Sequence, residues 1–230
     1  QIRFSPGMPG AVAQGSIDQA QANGFKILLG IVGHPGDVLA PGYFDDYARF
    51  VGEVAALGPD AIEVWNEMNL DREWPAGHID PGLYTQLLAK AYNAIKSANS
   101  SVAVISGAPA PTGAEGAFGT DRVWNDDRYV RGMAAAGAAQ YMDCVGAHYN
   151  EGIVSPRQTS GDPRGNYYTR YFWGMVNTYA NAFGGARPIC FTELGYVTPE
   201  GLGPLPGGFD WGSGTSVAEQ AQWLADAVRL

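Results

Sequence analysis

The sequence predicts an α/β protein of the (β/α)8 TIM-barrel type, of which this chain supplies about six βα units. Short apolar or β-branched runs alternate with amphipathic stretches of ten or more residues, which is typical of parallel strands joined by helices. No glycine-rich phosphate-binding pattern follows a strand candidate, which disfavours an open doubly wound sheet. Polar residues follow the apolar runs, and that end of each strand is where barrel active sites form.

Six strand candidates occur in order along the chain. They cover residues 2–4, 27–32, 62–65, 102–106, 144–147 and 189–192. Interior strands of a barrel are nearly all apolar, and these runs fit that description. We therefore expect these strands to line one core, and the polar residues that follow them to lie together at one end of the barrel.

Helix candidates fill the intervals between the strands. Asp80 is positioned to cap a helix that has Pro81 at its first position and one apolar face reaching Ile95. Ser216 and Glu219 form a capping-box pattern that begins a last helix ending near residue 230. The other helix candidates cover residues 16–23, 43–57, 126–136 and 167–182.

Composition narrows the class of protein and of partner. The chain has 230 residues, a length that favours one domain, and its formal net charge of −9 disfavours a nucleic-acid partner. No run of 18 or more apolar residues occurs, so we expect no membrane span. Cys144 and Cys190 fall in predicted interior strands, where buried inert thiols are expected. Cysteine content does not decide the cellular compartment, and a secreted or extracytoplasmic location is slightly favoured.

Two glutamates carry the predicted chemistry. Glu67 lies in Trp65-Asn66-Glu67-Met68-Asn69 and Glu193 in Phe191-Thr192-Glu193-Leu194-Gly195-Tyr196, each at the end of a strand candidate. Cleavage of a glycosidic bond needs one protonated carboxyl and one ionised carboxylate, about 5–5.5 Å apart in retaining enzymes. We assign the proton to Glu67, as general acid/base, and the attack to Glu193. Asn66 is expected to bind a sugar hydroxyl. Arg3 is expected to be a further substrate-binding residue and, if it reaches the same cavity, to keep Glu193 ionised.

These motifs resemble those of the clan A glycoside hydrolases. Trp65-Asn66-Glu67 resembles the strand-4 motif of that clan, and Thr192-Glu193-Leu194-Gly195 resembles the strand-7 motif in bacterial families related to families 5 and 39. His148 and Tyr149 lie where the clan has a strand-6 His and Tyr that contact the sugar and the nucleophile. Family 5 commonly has one residue between the two, whereas here they are adjacent. Arg3 looks like the strand-2 Arg of the clan.

The resemblance implies hydrolysis of β-linked glycosides with retained configuration and no cofactor. It also implies a register in which the six strands are strands 2 to 7 of the barrel. We therefore expect residues 1–230 to form a single catalytic barrel domain, truncated at both ends. An open barrel exposes strand edges, so we expect a partner or a missing segment to complete the wall.

Several further residues are candidates for contact with the carbohydrate. Trp74, in the loop after Glu67, and Trp211, in the loop after Glu193, are the tryptophans best placed to stack on sugars, although core packing explains a tryptophan equally well. His34 follows the second strand candidate and is either a cleft residue or a structural histidine. Glu63 is expected either to point inward as a buried support or to form an ion pair, and not to be catalytic.

Two alternative functions remain at this point. A metal-dependent barrel hydrolase would need His34, Asp37, His148 and the glutamates to gather round an ion, but no His-x-His or helical His pair is present, so no metal is expected. A carbohydrate-binding barrel without catalysis is the other alternative. The matched pair of glutamates argues against it.

Overall fold

The computed structural model describes residues 1–230 as parallel strands alternating with helices. The strands are β1 (Ile2–Arg3), β2 (Leu28–Val32), β3 (Ala61–Val64), β4 (Ala103–Ser106), β5 (Val145–Gly152) and β6 (Ile189–Tyr196). The α-helices are α1 (Gln14–Ala22), α2 (Tyr43–Ala56), α3 (Pro81–Ala98), α4 (Glu115–Phe118), α5 (Asp126–Ala135), α6 (Phe172–Ala182) and α7 (Val217–Ala227). The predicted α/β class is confirmed.

The strands are hydrogen bonded in sequence order. Strands β1 to β4 form one parallel sheet, and β5 and β6 form a parallel pair. The two parts meet where the amide of Ser106 donates to the carbonyl of Cys144 at 3.1 Å and the amide of Gly146 donates to Oγ of Ser106 at 3.0 Å. Together the six strands make one continuous wall.

This wall is curved. Oε1 of Glu63, on β3, accepts a hydrogen bond of 2.8 Å from Oγ1 of Thr192, on β6, although two strands separate them. Side chains of distant strands therefore meet inside the curve, as they do in a barrel. No pairing joins β1 to β6, so the wall is open between them and closure of the barrel stays a prediction.

The helices cover the outer face of the wall and bury most of the core. Two tyrosines show how the layers are joined: the hydroxyl of Tyr47 on α2 donates to the carbonyl of Ile31, and that of Tyr84 on α3 to the carbonyl of Val64. Asp80 and Ser216 cap α3 and α7 as predicted, and Ser216 with Glu219 forms the complete capping box. None of the helices has the length and apolarity needed to cross a membrane.

Most predicted bounds agree with the structure to within two residues, but two strands and one helix differ by four or more. Strands β5 and β6 extend past the apolar runs, so His148 and Glu193 lie within strands rather than after them. Backbone pairing continues there through register irregularities that hydrophobicity does not reveal. The helix predicted over residues 167–182 is divided into a 3-10 turn, Tyr168–Arg170, and helix α6.

The prediction of two free thiols is wrong. Cys144 and Cys190 form a disulfide that joins the residue before β5 to the second residue of β6. Adjacent parallel strands hold the two Cα atoms 5.8 Å apart, within the range that a disulfide spans. Each cysteine alone reads as a buried thiol, and only the pairing of the strands brings them together.

Candidate active site

The segment after β3 has an unusual backbone that directs Glu67. Trp65 and Glu67 have φ angles of 74° and 44°, in the left-handed region that residues with a side chain rarely adopt. Neighbouring strands hold the segment in place, because the amide of Trp65 donates to the carbonyl of Ile31 and that of Glu67 to the carbonyl of Ala108, both at 2.9 Å. The turn thereby points the Glu67 carboxylate into the interior of the wall.

The ring of Trp65 fills the space beneath this turn. It is fully buried, and its Nε1 donates to the carbonyl of Glu73 at 2.8 Å. Gly33 lies against it so closely that a Cβ at that position would approach the ring to 2.7 Å. The glycine therefore makes room for the tryptophan, and the tryptophan supports the turn that carries Glu67.

Glu67 and Glu193 meet at His148. Nδ1 of His148 lies 3.3 Å from Oε1 of Glu67 and 3.6 Å from Oε2 of Glu193. The three contacting atoms all lie within 4.8 Å of one another. The turn after β3 and strands β5 and β6 thus bring two carboxylates and one buried imidazole to a single point, which was the arrangement expected of Glu67 and Glu193.

Strand β5 supplies a second contact that the sequence did not predict. Nδ2 of Asn150 donates to Oε2 of Glu193 at 2.8 Å. Side chains two apart on a strand share a face, so Asn150 points the same way as His148. Strand periodicity counted from His148 was the available signal for Asn150.

The charge around Glu67 differs from expectation. Burial raises the pKa of Glu67, but hydrogen bonds from His148 and from the Arg72 guanidinium, with the positive charge of Arg72, outweigh it and leave the pKa below its ordinary value. A lowered pKa favours the ionised carboxylate at neutral pH, which is contrary to the expectation that Glu67 holds the proton. That expectation placed the positive charge of Arg3 beside Glu193, whereas the structure places that of Arg72, on the loop after β3, beside Glu67.

Glu63 supports the site from below. It is buried and accepts from the amide of Ala108 at 3.2 Å and from Oγ1 of Thr192 at 2.8 Å. Burial raises the pKa of its carboxyl. Since Thr192 precedes Glu193 and Ala108 holds the Glu67 backbone, Glu63 links the segments that carry both glutamates. Of the two expectations for Glu63, the inward support is confirmed.

Arg3 does not reach Glu193. Its Nη1 donates to the carbonyl of Gly33 at 2.7 Å, and its Nη2 lies 3.9 Å from Glu73. The expectation that Arg3 keeps Glu193 ionised is wrong, because Arg3 is engaged at the rim by Glu73.

Two predicted sugar contacts are core residues. Trp74 is fully buried, with its Nε1 donating to the carbonyl of His78 and its ring 5.2 Å from that of Trp65. Tyr149 is buried on the helix side of β5, where its ring packs edge-on against Phe172. Neighbours on a strand face opposite ways, so Tyr149 points outward when His148 points inward. Both predictions are wrong.

The remaining candidates lie nearer the surface. Asn66 is half-buried and makes no side-chain hydrogen bond, so its amide is free to bind a hydroxyl group. His34 is exposed and precedes the short turn Pro35–Asp37, without a hydrogen bond to either glutamate. Trp211 is half-buried, with the guanidinium of Arg164 centred 4.0 Å over its ring. That guanidinium occupies one face on which a sugar would stack.

Glu67, His148 and Glu193 also form a set of side chains that could hold a metal ion. One imidazole and two carboxylates within 4.8 Å suit a divalent cation such as Zn²⁺. The sequence argument against a metal depended on the absence of a paired histidine motif, and the fold gathers its donors from separate strands instead. Arg72 and Asn150 already bind the carboxylates, and they would have to release them to an ion.

Comparison with known proteins bears on the fold. The sequence matches no model of a protein family, and no curated protein is similar to it at a significant level. A family 39 glycoside hydrolase from Bacteroides cellulosilyticus WH2 has a similar structure, with 19% identity and a TM-score of 0.52 over 96% of this chain and 43% of that one.

Two further solved structures align less well. The catalytic domain of a mannanase from Streptomyces sp. SirexAA-E has 17% identity and a TM-score of 0.46, over 84% of this chain and 56% of that one. A monomeric β-xylosidase from Caulobacter crescentus CB15 has 21% identity and a TM-score of 0.44, over 76% and 38%. The chain thus spans well under two thirds of the length of each protein.

The similarity to the family 39 glycoside hydrolase, whose TM-score is above 0.5, confirms the expected resemblance at the level of the fold. The neighbours are TIM-barrel glycoside hydrolases, and the alignment with the family 39 enzyme extends over nearly all of this chain. At 19% identity the similarity describes the course of the backbone. What the site does must be argued from its own residues.

Proposed function

We propose that this chain is the catalytic part of a retaining glycoside hydrolase acting on β-linked carbohydrate. One observation carries the proposal: contacting oxygens of Glu67 and Glu193 and the Nδ1 of His148 lie within 4.8 Å of one another in a curved α/β wall. Carboxylates this close suit direct attack on the anomeric carbon, whereas inverting enzymes need room for a water between them.

In the proposed reaction Glu193 attacks the anomeric carbon while Glu67 protonates the departing oxygen. Asn150 holds one Glu193 oxygen by its hydrogen bond and so leaves the other free to attack. Glu67, ionised after that step, removes a proton from water, and the hydroxide displaces Glu193 from the sugar. Configuration is retained because the carbon is inverted twice.

Glu67 must gain a proton before it can donate one. Arg72 is 64% exposed and reaches Glu67 from the rim, so a bound sugar can displace it into solvent. Loss of that positive charge and exclusion of water both raise the pKa of Glu67. We infer that substrate binding converts the acid/base from its ionised to its protonated form.

The domain proposal concerns the open wall. Strands β1 and β6 each have one edge without a strand partner. Unpaired strand edges present N–H and C=O groups that pair readily with another strand, and barrels remove such edges by closure. We propose that the single catalytic domain is completed by strands from outside these 230 residues, and that the protein with its wall closed is the active form.

Two measurements test this function. The longest available form of the protein is incubated with a panel of aryl β-glycosides, and the first-formed anomer is followed by proton NMR. A 2-fluoro glycoside of the hydrolysed sugar then traps the covalent intermediate, which peptide mass spectrometry locates. We expect the retained anomer and a label on Glu193. An inverted product, or a label on another residue, would contradict the mechanism.

The gathered ligand set supports one other candidate, a metal-dependent hydrolase. In that case a cation held by Glu67, His148 and Glu193 would activate water. Dialysis against a chelator separates the two, since the retaining mechanism survives it and the metal mechanism does not. Binding of carbohydrate with no hydrolysis by the closed protein would instead indicate a non-catalytic barrel.

A further inference from the structure

A polar pocket lies between the loop that follows β4 and the end of β5 with the loop after it. Its volume is about 470 Å³, within the range of small-ligand sites. These two strands are neighbours in the wall and lie away from its open edges. The lining residues are Gly113, Ala114, Glu151, Tyr167, Thr169 and Arg170.

The chemistry of this lining is that of a site for a neutral polyhydroxyl compound. Glu151 offers carboxylate oxygens that accept from hydroxyl groups, and Arg170 offers guanidinium donors of the opposite charge. The Tyr167 ring offers a flat apolar surface with a polar edge. One acidic and one basic group leave no net charge to select an ion, whereas donors, acceptors and a ring together suit a sugar.

The walls of the pocket are fixed by contacts within the chain. The hydroxyl of Tyr167 donates to the carbonyl of Thr112 at 3.2 Å, and its ring lies 4.8 Å from that of Tyr168. Gly113 allows this close approach, because a Cβ there would lie 3.2 Å from the Tyr167 ring. The ring is therefore held in place before any ligand arrives, which lowers the entropic cost of binding.

Glu151 is held by a network of its own. Arg164 donates to the Glu151 carbonyl at 2.7 Å, and its Nη1 lies 3.6 Å from the Glu151 carboxylate. The same guanidinium is centred over Trp211. Arg164 thus positions the carboxylate without covering the pocket, and the tryptophan predicted to stack on sugar serves to hold Arg164.

The pocket lies within reach of the two glutamates. Glu151 directly follows Asn150, whose side chain donates to Glu193 at 2.8 Å. On the other wall Gly113 is five residues beyond Ala108, which accepts from the Glu67 amide, and five residues span at most about 18 Å. A short oligosaccharide with its scissile bond at the glutamates can therefore extend into the pocket.

We propose that this pocket is a second sugar-binding subsite, which holds a neutral sugar unit of the same chain that is cleaved between Glu67 and Glu193. The inference rests on the proposed glycosidase function and deepens it, because it makes the substrate an oligosaccharide or polysaccharide rather than a simple glycoside. The Tyr167 ring packs against the sugar, and Glu151 and Arg170 bind its hydroxyl groups.

The test compares substrates of different length in matched variants. The ratio of kcat/KM for a pentasaccharide to that for an aryl glycoside of the same sugar is measured for the wild type, Tyr167→Ala and Glu151→Gln. We expect the ratio to fall roughly tenfold in each variant, as loss of a stacking surface or a charged acceptor implies. Phe25→Ala removes an aromatic ring that is 70% exposed and absent from the pocket, and it should leave the ratio at the wild-type value.

A binding measurement keeps the inference separate from catalysis. Xylo-, cello- and manno-pentaose are titrated by calorimetry into the wild type and the two variants. Binding by the wild type that Tyr167→Ala and Glu151→Gln both weaken supports the subsite even if no glycoside is hydrolysed, in which case the proposed function fails alone. An unchanged efficiency ratio, or no pentaose bound by any protein that thermal unfolding shows to be folded, would overturn the subsite.

Discussion

The two strands that carry the glutamates differ in how the chain supports them. Strand β3 is central, paired on both sides, and its residues Ile62, Glu63 and Val64 are buried. Strand β6 pairs with β5 alone and is half-exposed along most of its length. The same contrast holds for the carboxylates, since the side chain of Glu67 is 12% exposed and that of Glu193 is 48% exposed.

The contrast shows that the Glu67 side is assembled by packing and the Glu193 side by specific links. Trp65 and the backbone bonds of its turn hold Glu67. Three links hold β6 in position instead: the disulfide of Cys190, the hydrogen bond of Thr192 to Glu63, and that of Asn150 to Glu193. Cutting single links should therefore harm the Glu193 side more than the Glu67 side.

The largest expected effect comes from removing each carboxylate in turn. Glu193→Ala should lower kcat by a thousandfold or more on every substrate, about 4 kcal/mol in the barrier, because the nucleophile is lost. Glu67→Ala should retain activity on aryl glycosides with good leaving groups, which need no protonation. Steady-state kinetics on a leaving-group series measures the difference.

Azide provides the control for this pair. It should partly restore turnover in Glu193→Ala with an inverted product, because the anion takes the place of the missing carboxylate. The same loss in both variants on every leaving group, or rescue of neither, would show that the roles of Glu67 and Glu193 are misassigned.

The disulfide should have the next largest effect. The bond closes a loop of 46 residues, and removing it by Cys144→Ala with Cys190→Ala should lower the free energy of unfolding by about 4 kcal/mol. Urea unfolding measures this change. Hydrogen exchange should show lost protection in β5 and β6 and little change in β2 and β3.

A reducing agent supplies the matched control. It should lower the stability of the wild type to that of the double variant and leave the double variant unchanged. If the two forms are equally stable, the link between β5 and β6 contributes nothing and the comparison of the two sides loses one of its supports.

Glu63 tests the connection between the two sides. Glu63→Ala leaves the buried amide of Ala108 and hydroxyl of Thr192 without an acceptor and should lower the free energy of unfolding by about 2 kcal/mol. Glu63→Gln keeps an acceptor and should cost much less. Thermal unfolding of both variants measures this, and equal losses would mean that the charge of Glu63, rather than its volume or a neutral acceptor, is what stabilises the fold.

Arg72 gives the smallest effect and the most specific one. Arg72→Gln removes the positive charge that lowers the Glu67 pKa, so Glu67 should stay protonated to higher pH. The alkaline limb of the kcat/KM profile should therefore move to higher pH. Arg122→Gln removes an exposed ion pair with Asp71 nearby and should leave the limb in place. A limb that stays or moves to lower pH in Arg72→Gln would exclude this role for Arg72.

Local pattern in the sequence determined the architecture and the two glutamates. Each of these features depends on a few residues that are close together in the chain, so sequence patterns predict it. They are the alternation of strands and helices, the helix caps at Asp80 and Ser216, and the polar residues at strand ends. Glu67, Glu193 and His148 were found in this way. The same alternation within β5 also determines that Tyr149 faces outward and Asn150 inward.

Tertiary structure alone decided how these parts contact one another. The Cys144–Cys190 disulfide, the Arg72–Glu67 ion pair and the burial of Trp74 each depend on elements far apart in the chain or on the path of a loop. The pKa of a carboxyl group depends on whether an arginine or another carboxylate lies beside it in the fold, and the residue type alone does not show which. The sequence therefore located the two glutamates and His148, and the fold determined which groups surround them.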